Sequence, residues 1–195
     1  MASTAALADI TGEKLSAKLD FTVSPPKGPG KPWTVADASG MLERRGLNKT
    51  NFQSGRNLFH AVACASCHRF DGEGGDIGPD LTSVRNKFAM RDLMEAIIEP
   101  SKIISDQYGS FTVTLKDGES HTGLVSRHEG KVTVHTSDHT AKPIEVPESQ
   151  VKSVQQVPVS QMPPGLVYAL SEDELRDLVA YLMSQGNPQD KMFRK

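Results

Sequence analysis

The feature that most constrains this chain is Cys64-Ala65-Ser66-Cys67-His68, because the 195 residues contain only two cysteines and both lie in it. Thiols three positions apart share one face of a single helical turn. C-x-x-C-H is the pattern to which c-type haem attaches. Each thiol adds across one vinyl group, so two thioethers clamp one edge of the macrocycle. The histidine that follows then lies under the iron as its proximal ligand. Other readings compete. A dithiol redox pair usually accompanies a βαβ pattern, which is missing here. Half a zinc site of the four-cysteine kind needs a second C-x-x-C to complete it, and the sequence holds no further cysteine. The haem reading is preferred. It predicts one covalent haem c per chain, held by Cys64, Cys67 and His68.

Composition narrows the function classes. With 37% hydrophobic and 24% charged residues, the chain can build a modest core and is not a disordered polymer. A net charge of −2 and the lack of a basic stripe argue against nucleic-acid binding, which depends on neutralising phosphates. No run approaches the ~18 apolar residues of a membrane-spanning helix. Met1–Asp20 lacks the apolar centre of a secretory signal, so the chain reads as cytoplasmic or as a piece of something longer.

A sixth iron ligand is expected late in the chain. Ser160-Gln161-Met162-Pro163-Pro164-Gly165 holds a methionine in a loop stiffened by prolines. A thioether suits ferrous iron, and Met/His ligation raises the potential. Met162 as simple packing is the competing reading. Met90, Met94 and Met183 fall on apolar helical stripes and read as core. Met41 and Met192 lie near linkers or the terminus. Phe52, Gly55, Phe59 and Val62 recur at helical spacing behind a Thr50 or Asn51 cap. Ser171-Glu172-Asp173-Glu174 is a capping box, opening a helix with Leu175, Leu178, Val179 and Leu182 on one face; Gly186 and Pro188 end it. Gly55 permits a close crossing, with Phe59 against Leu178 and Tyr181. A third helix is expected from Phe88 to Ile98, stopped by Pro100. Pro79, in Gly78-Pro79-Asp80-Leu81, is placed to pack on the haem, and its carbonyl can accept from the proximal imidazole. Arg85 is a candidate for a haem propionate; a solvent-exposed arginine is the competing reading.

Between Tyr108 and Val157 the period changes to two. Phe111, Val113 and Leu115 alternate with threonines, a turn follows at Lys116-Asp117-Gly118-Glu119, and Val132-Thr133-Val134 and Ile144-Glu145-Val146 alternate likewise. Four or five short strands suggest a small antiparallel barrel or curled sheet. Its histidines, His121, His128, His135 and His139, lie in a segment of strand rather than helix periodicity and read as exposed. Ahead of the helices, Ser24-Pro25-Pro26-Lys27-Gly28-Pro29-Gly30-Lys31-Pro32 is a linker by composition. Trp33 either anchors that arm or is simply the first packed residue.

Four runs carry a resemblance: Gly55-Arg56-Asn57-Leu58-Phe59 through Cys64–His68; Gly74-Gly75-Asp76-Ile77-Gly78-Pro79-Asp80-Leu81; Ile98-Glu99-Pro100-Ser101-Lys102-Ile103-Ile104-Ser105-Asp106-Gln107-Tyr108; and Met162-Pro163-Pro164-Gly165-Leu166. From about Trp33 to Gln185 the chain resembles the cytochrome c haem-binding domain at the C-terminus of large planctomycete and verrucomicrobial dehydrogenase-like proteins. The resemblance implies covalent haem, an extracytoplasmic (periplasmic or similar) location, and electron transfer beside a dehydrogenase module. It carries over Cys64, Cys67, His68 and Met162 as haem and iron ligands. The expected fold is mainly α: a class I cytochrome c helical fold with an inserted small antiparallel β module, α+β overall. Its expected divisions are an arm and Pro/Gly linker (1–50), a haem domain (51–107 plus 158–186), the β module (108–157) and a tail (187–195). The expected function is that of a monohaem electron carrier rather than an enzyme. It would serve redox protein partners or a fused dehydrogenase domain, with no nucleic acid and no transmembrane segment. The alternatives are a haem enzyme or ligand sensor with an open distal site, and a haem-free binding module.

Overall fold

The computed structural model describes residues 20–105, 108–136 and 141–194. The expectations placed on residues 1–19, Asp106, Gln107, Ser137, Asp138, His139 and Lys195 lie outside the described residues.

Among the described residues are five α-helices, a two-stranded hairpin and one five-stranded sheet. Helix α1 (Val35–Arg45) starts where the Thr34 side chain accepts from the Asp37 backbone N–H. It buries Val35, Ala38, Met41 and Leu42, which recur at helical spacing. Helix α2 (Phe52–Ala61) is capped by Asn51, whose side chain accepts from Ser54 N–H. Helix α3 (Cys64–Cys67) is a single turn, and α4 (Met90–Ile98) begins two residues later than the sequence suggests. Helix α5 (Glu172–Met183) opens with the complete Ser171/Glu174 capping box and buries Leu175, Leu178, Val179 and Leu182. A Cβ added to Gly55 would stand 2.5 Å from the Tyr181 Cβ, so only glycine lets α2 cross α5 this closely. Phe59 packs into that crossing, 5.9 Å between ring centroids from Tyr181.

A two-stranded hairpin, β1 (Arg69–Phe70) and β2 (Glu73–Gly74), follows α3. The remaining strands are β3 (Gly109–Leu115), β4 (Ser120–His128), β5 (Lys131–His135), β6 (Ile144–Pro147) and β7 (Val151–Ser160). They form one antiparallel sheet in the order β6-β5-β4-β3-β7. Alternation sends Val113, Leu115, Val132, Val134 and Val146 to one face, where they make a small core of their own. The other face carries hydroxyl pairs such as Thr112 with Thr122, 2.9 Å apart. Register shifts at Gly109/Ser110 and Thr114/Leu115 bend the β3–β7 pair.

The expectation of a mainly α fold is overturned. About 33% of the described residues are helical, 3-10 turns included, and 23% are strand, with a five-stranded antiparallel sheet, so the protein is α+β. The helices are short, while the period-two segment builds a full sheet. β7 also runs on to Ser160, past the last alternating residue singled out in the sequence.

The proline- and glycine-rich arm is packed from residue 20 onward. Trp33 is buried, its Nε1 donating to Leu170 O at 3.0 Å. Lys27 N and Gly28 N donate to the Glu174 carboxylate at 2.6 and 3.1 Å. Ser24 exchanges two hydrogen bonds with the Asn57 amide. Met41 and Met192, placed near linkers or the terminus by their sequence neighbours, are both buried, Met41 within the helical core.

Candidate functional site

The cysteine turn is a distinct helix because Ala63 adopts a left-handed conformation, φ 64°, ψ 15°, which breaks it from α2. A residue with a Cβ pays about 1–2 kcal/mol for that conformation. It starts the turn so that Cys64 and Cys67 fall on the same side. His68 then leaves the helix in an extended conformation while its N–H bonds to Cys64 O at 2.9 Å.

The next ten residues wrap around this turn. Gly75 N donates to Ala65 O at 2.9 Å and Gly78 N to Cys67 O at 2.8 Å. A Cβ on Gly75 would lie 2.5 Å from Ser66 O, so the wrapping backbone must be bare there. Gly78 lies flat against the His68 ring: an added Cβ would meet Cε1 and Nδ1 at 2.7 Å. Pro79 O is 2.8 Å from His68 Nδ1. A carbonyl only accepts, so the proton of the neutral ring sits on Nδ1 and Nε2 keeps its lone pair. Burial lowers the His68 pKa, partly opposed by the Pro79 bond, which favours a neutral imidazole able to bind a metal ion.

Cys64 and Cys67 are not joined by a disulfide. Burial pushes Cys64 up to about 12, with a backbone hydrogen bond acting the other way, and burial raises Cys67 as well. Reactive dithiol motifs have depressed thiol pKa values. This pair has the opposite environment, which disfavours the redox-dithiol reading. Among the described residues, no three His, Cys, Asp or Glu side chains are grouped to hold a metal ion.

Met162 is held on another loop, directly after β7. Its N–H donates to Ser160 Oγ at 3.1 Å, and Ser160 N donates to Ser101 Oγ at 3.1 Å. Gln161 Nε2 reaches His135 O on β5 at 3.0 Å. Beyond the prolines, Val167 and Leu170 are buried and fix the far side of the loop. Arg85 lies on a short 3-10 turn, Val84–Asn86, and is partly exposed. Its guanidinium pairs with Asp190 at 3.1 Å and with Met183 O at 3.4 Å, tying that turn to the C-terminal segment.

The structure thus brings Cys64, Cys67, His68 and Pro79 into one bonded unit. Met162 and Arg85 sit on separate segments with their own partners. Sequence reasoning missed the contact roles of Gly75 and Gly78; four glycines (Gly72, Gly74, Gly75 and Gly78) crowded within ten residues of the motif were the available signal. It also missed the cluster of Arg56, Glu73 and His60 beside the hairpin, in which Arg56 bonds Glu73 and His60 Nε2 lies 3.4 Å from it.

Residues 52–124 match the family model for cytochrome c. The matched segment begins at α2, contains the cysteine turn and the hairpin, and ends within β4. A domain of this family carries covalently attached haem c, and Cys64 and Cys67 fit its attachment site. None of the curated proteins matches the chain.

Proposed function

We propose that this chain is a monohaem cytochrome that passes single electrons from a dehydrogenase-type donor to a redox acceptor outside the cytoplasm. The observation that carries the reading is the His68 imidazole clasped between Gly78 and Pro79 O, one residue after two same-face thiols. Haem c, when bound, supplies one-electron exchange between Fe(III) and Fe(II).

The chain's own residues do the rest. Cys64 and Cys67 anchor the macrocycle through thioethers, so the cofactor cannot dissociate. His68 would offer Nε2 to the iron, oriented by its Nδ1 bond to Pro79 O. Met162, on its tethered loop, would offer its thioether to the iron. Arg85 is a propionate partner only if its bond to Asp190 opens. The division that goes with this reading is residues 51–107 plus 158–186 as haem domain, 108–157 as β module, 1–50 as arm and 187–195 as tail. The donor class and the compartment rest on the resemblance to haem domains of dehydrogenase-like proteins and on where haem is attached to C-x-x-C-H.

The test is the visible spectrum of protein matured behind an export signal, oxidised and reduced. Sharp reduced bands with a weak far-red charge-transfer band in the ferric state support His68/Met162 ligation. A high-spin ferric spectrum and ready cyanide binding would transfer the reading to a haem enzyme or sensor. A colourless product would remove haem altogether.

A further inference from the structure

The sheet order separates β7 from β5 by two strands, β3 and β4. At about 4.8 Å between neighbours, a flat sheet would hold their axes about 14 Å apart. Yet Gln161, the residue after β7, donates its side-chain amide to the carbonyl of His135, the last residue of β5, at 3.0 Å. The sheet therefore curls until its β7 and β5 ends meet, and Gln161 closes the gap. Gly123 on β4 makes the curl possible. A Cβ there would stand 2.7 Å from the His135 carbonyl carbon and closer still to its oxygen.

Gln161 is an odd choice on stability grounds. Its Oε1 is buried with no hydrogen-bond partner among the described residues. Buried amides normally have both ends satisfied. An apolar side chain would avoid that cost, so the residue is better explained by what its Nε2 holds. What it holds is the start of the loop whose next residue is Met162.

We infer that the sheet braces the Met162 loop, and that Gln161 is the positioning residue through which the His135 carbonyl fixes where Met162 sits. This rests on the reading of Met162 as the sixth ligand. The Ser160 and Ser101 bonds tether the loop to its own strand and to the segment after α4. Among the described residues, the Gln161 bond is what ties it to the far end of the sheet. The geometry of β4 and β5 would then bear on the strength of iron–thioether ligation, although neither strand supplies a ligand.

The test uses the haem-loaded chain with Gln161→Leu, Gly123→Ala and the double variant. Three quantities are read on each: the ferric far-red band, the apparent affinity of the ferric protein for imidazole, and the thermal midpoint. Gln161→Leu is expected to weaken the band and raise imidazole affinity about 10-fold without lowering the thermal midpoint, since one bond is lost and one orphaned oxygen removed. Gly123→Ala is expected to move imidazole affinity the same way by displacing the His135 carbonyl. In the double variant its additional effect should vanish, because the bond through which it acts is already gone. Unchanged imidazole affinity in Gln161→Leu, a parallel fall in thermal midpoint, or full additivity in the double variant would each overturn the brace. A wild-type protein with no far-red band would overturn the Met162 reading and the brace with it.

Discussion

At the scale of single residues, the histidine is confined more tightly than its motif requires. Gly78 presses on one face of the ring, and Pro79 O takes the proton of its edge nitrogen. Gly78 is itself fixed through its N–H to Cys67 O at 2.8 Å, and Pro79 restricts the backbone that follows. A methyl group at position 78 therefore has nowhere to go without breaking one of these bonds. Gly78→Ala should loosen the Pro79–His68 bond and leave a less basic imidazole. That favours ferrous over ferric iron, and the reduction potential should rise by on the order of 60 mV, a tenfold change in the one-electron equilibrium. Redox titration of the two proteins side by side measures it. An unchanged potential would mean that the loop relaxes away from the ring.

At the scale of elements, the capping box of α5 does two jobs. Glu174 accepts from Ser171 N at 3.0 Å to complete the box, and the same carboxylate receives the N–H groups of Lys27 and Gly28 from the arm. Removing the Ser171 hydroxyl should cost about 1 kcal/mol, the ordinary value of an N-cap. Glu174→Ala should cost more, about 2 kcal/mol, because it also releases the arm. Denaturant unfolding followed by helical circular dichroism orders the two; equal losses would mean that the arm adds nothing to α5. This double use also explains what the sequence showed and what it hid. The helix start was legible because Ser171 and Glu174 are three residues apart, and α2, α4 and the alternating strands were legible for the same local reason. The docking of the arm joins residues nearly 150 apart, and prolines and glycines in its sequence suggest only a linker. Helix α1 is hard to see in the sequence because its polar stretch, with Gly40 in the middle, weakens an apolar stripe that still ends in Met41 and Leu42. The cysteine turn was readable from five letters, whereas its glycine clasp and the Gln161 tether depend on chain segments meeting in space. One small antiparallel sheet was legible from the alternation; its weight against the helices was not, because the helices are short and β7 runs on to Ser160.

At the scale of the whole molecule, the arm, α2 and the hairpin are joined by one charged cluster. Arg56 on α2 bonds Glu73 on β2 and pairs with Asp20 of the arm at 3.0 Å, while Phe21 lies under the Arg56 guanidinium and edge-on to His60. The hydrogen bond from Arg56 holds the Glu73 carboxyl below its ordinary 4.5, against burial, which pushes the other way. The unfolded chain therefore takes up this proton more readily than the folded one. Glu73 contributes its stabilisation fully above about pH 4.5 and loses it as pH falls through the lower folded value. Acid unfolding of the wild-type protein should accordingly steepen below pH 4.5. Glu73→Gln should be less stable at neutral pH, because the charge-assisted bond to Arg56 weakens, yet flatter in its acid dependence. Trp33, the only tryptophan and a buried one, reports the transition by its fluorescence in apoprotein, and circular dichroism reports it in the haem-loaded form. Parallel acid profiles for the two proteins would show that other carboxylates govern the acid transition. A profile flattened only in the variant would assign to Glu73 the link that keeps the arm and the hairpin closed around α2, next to the cysteine turn.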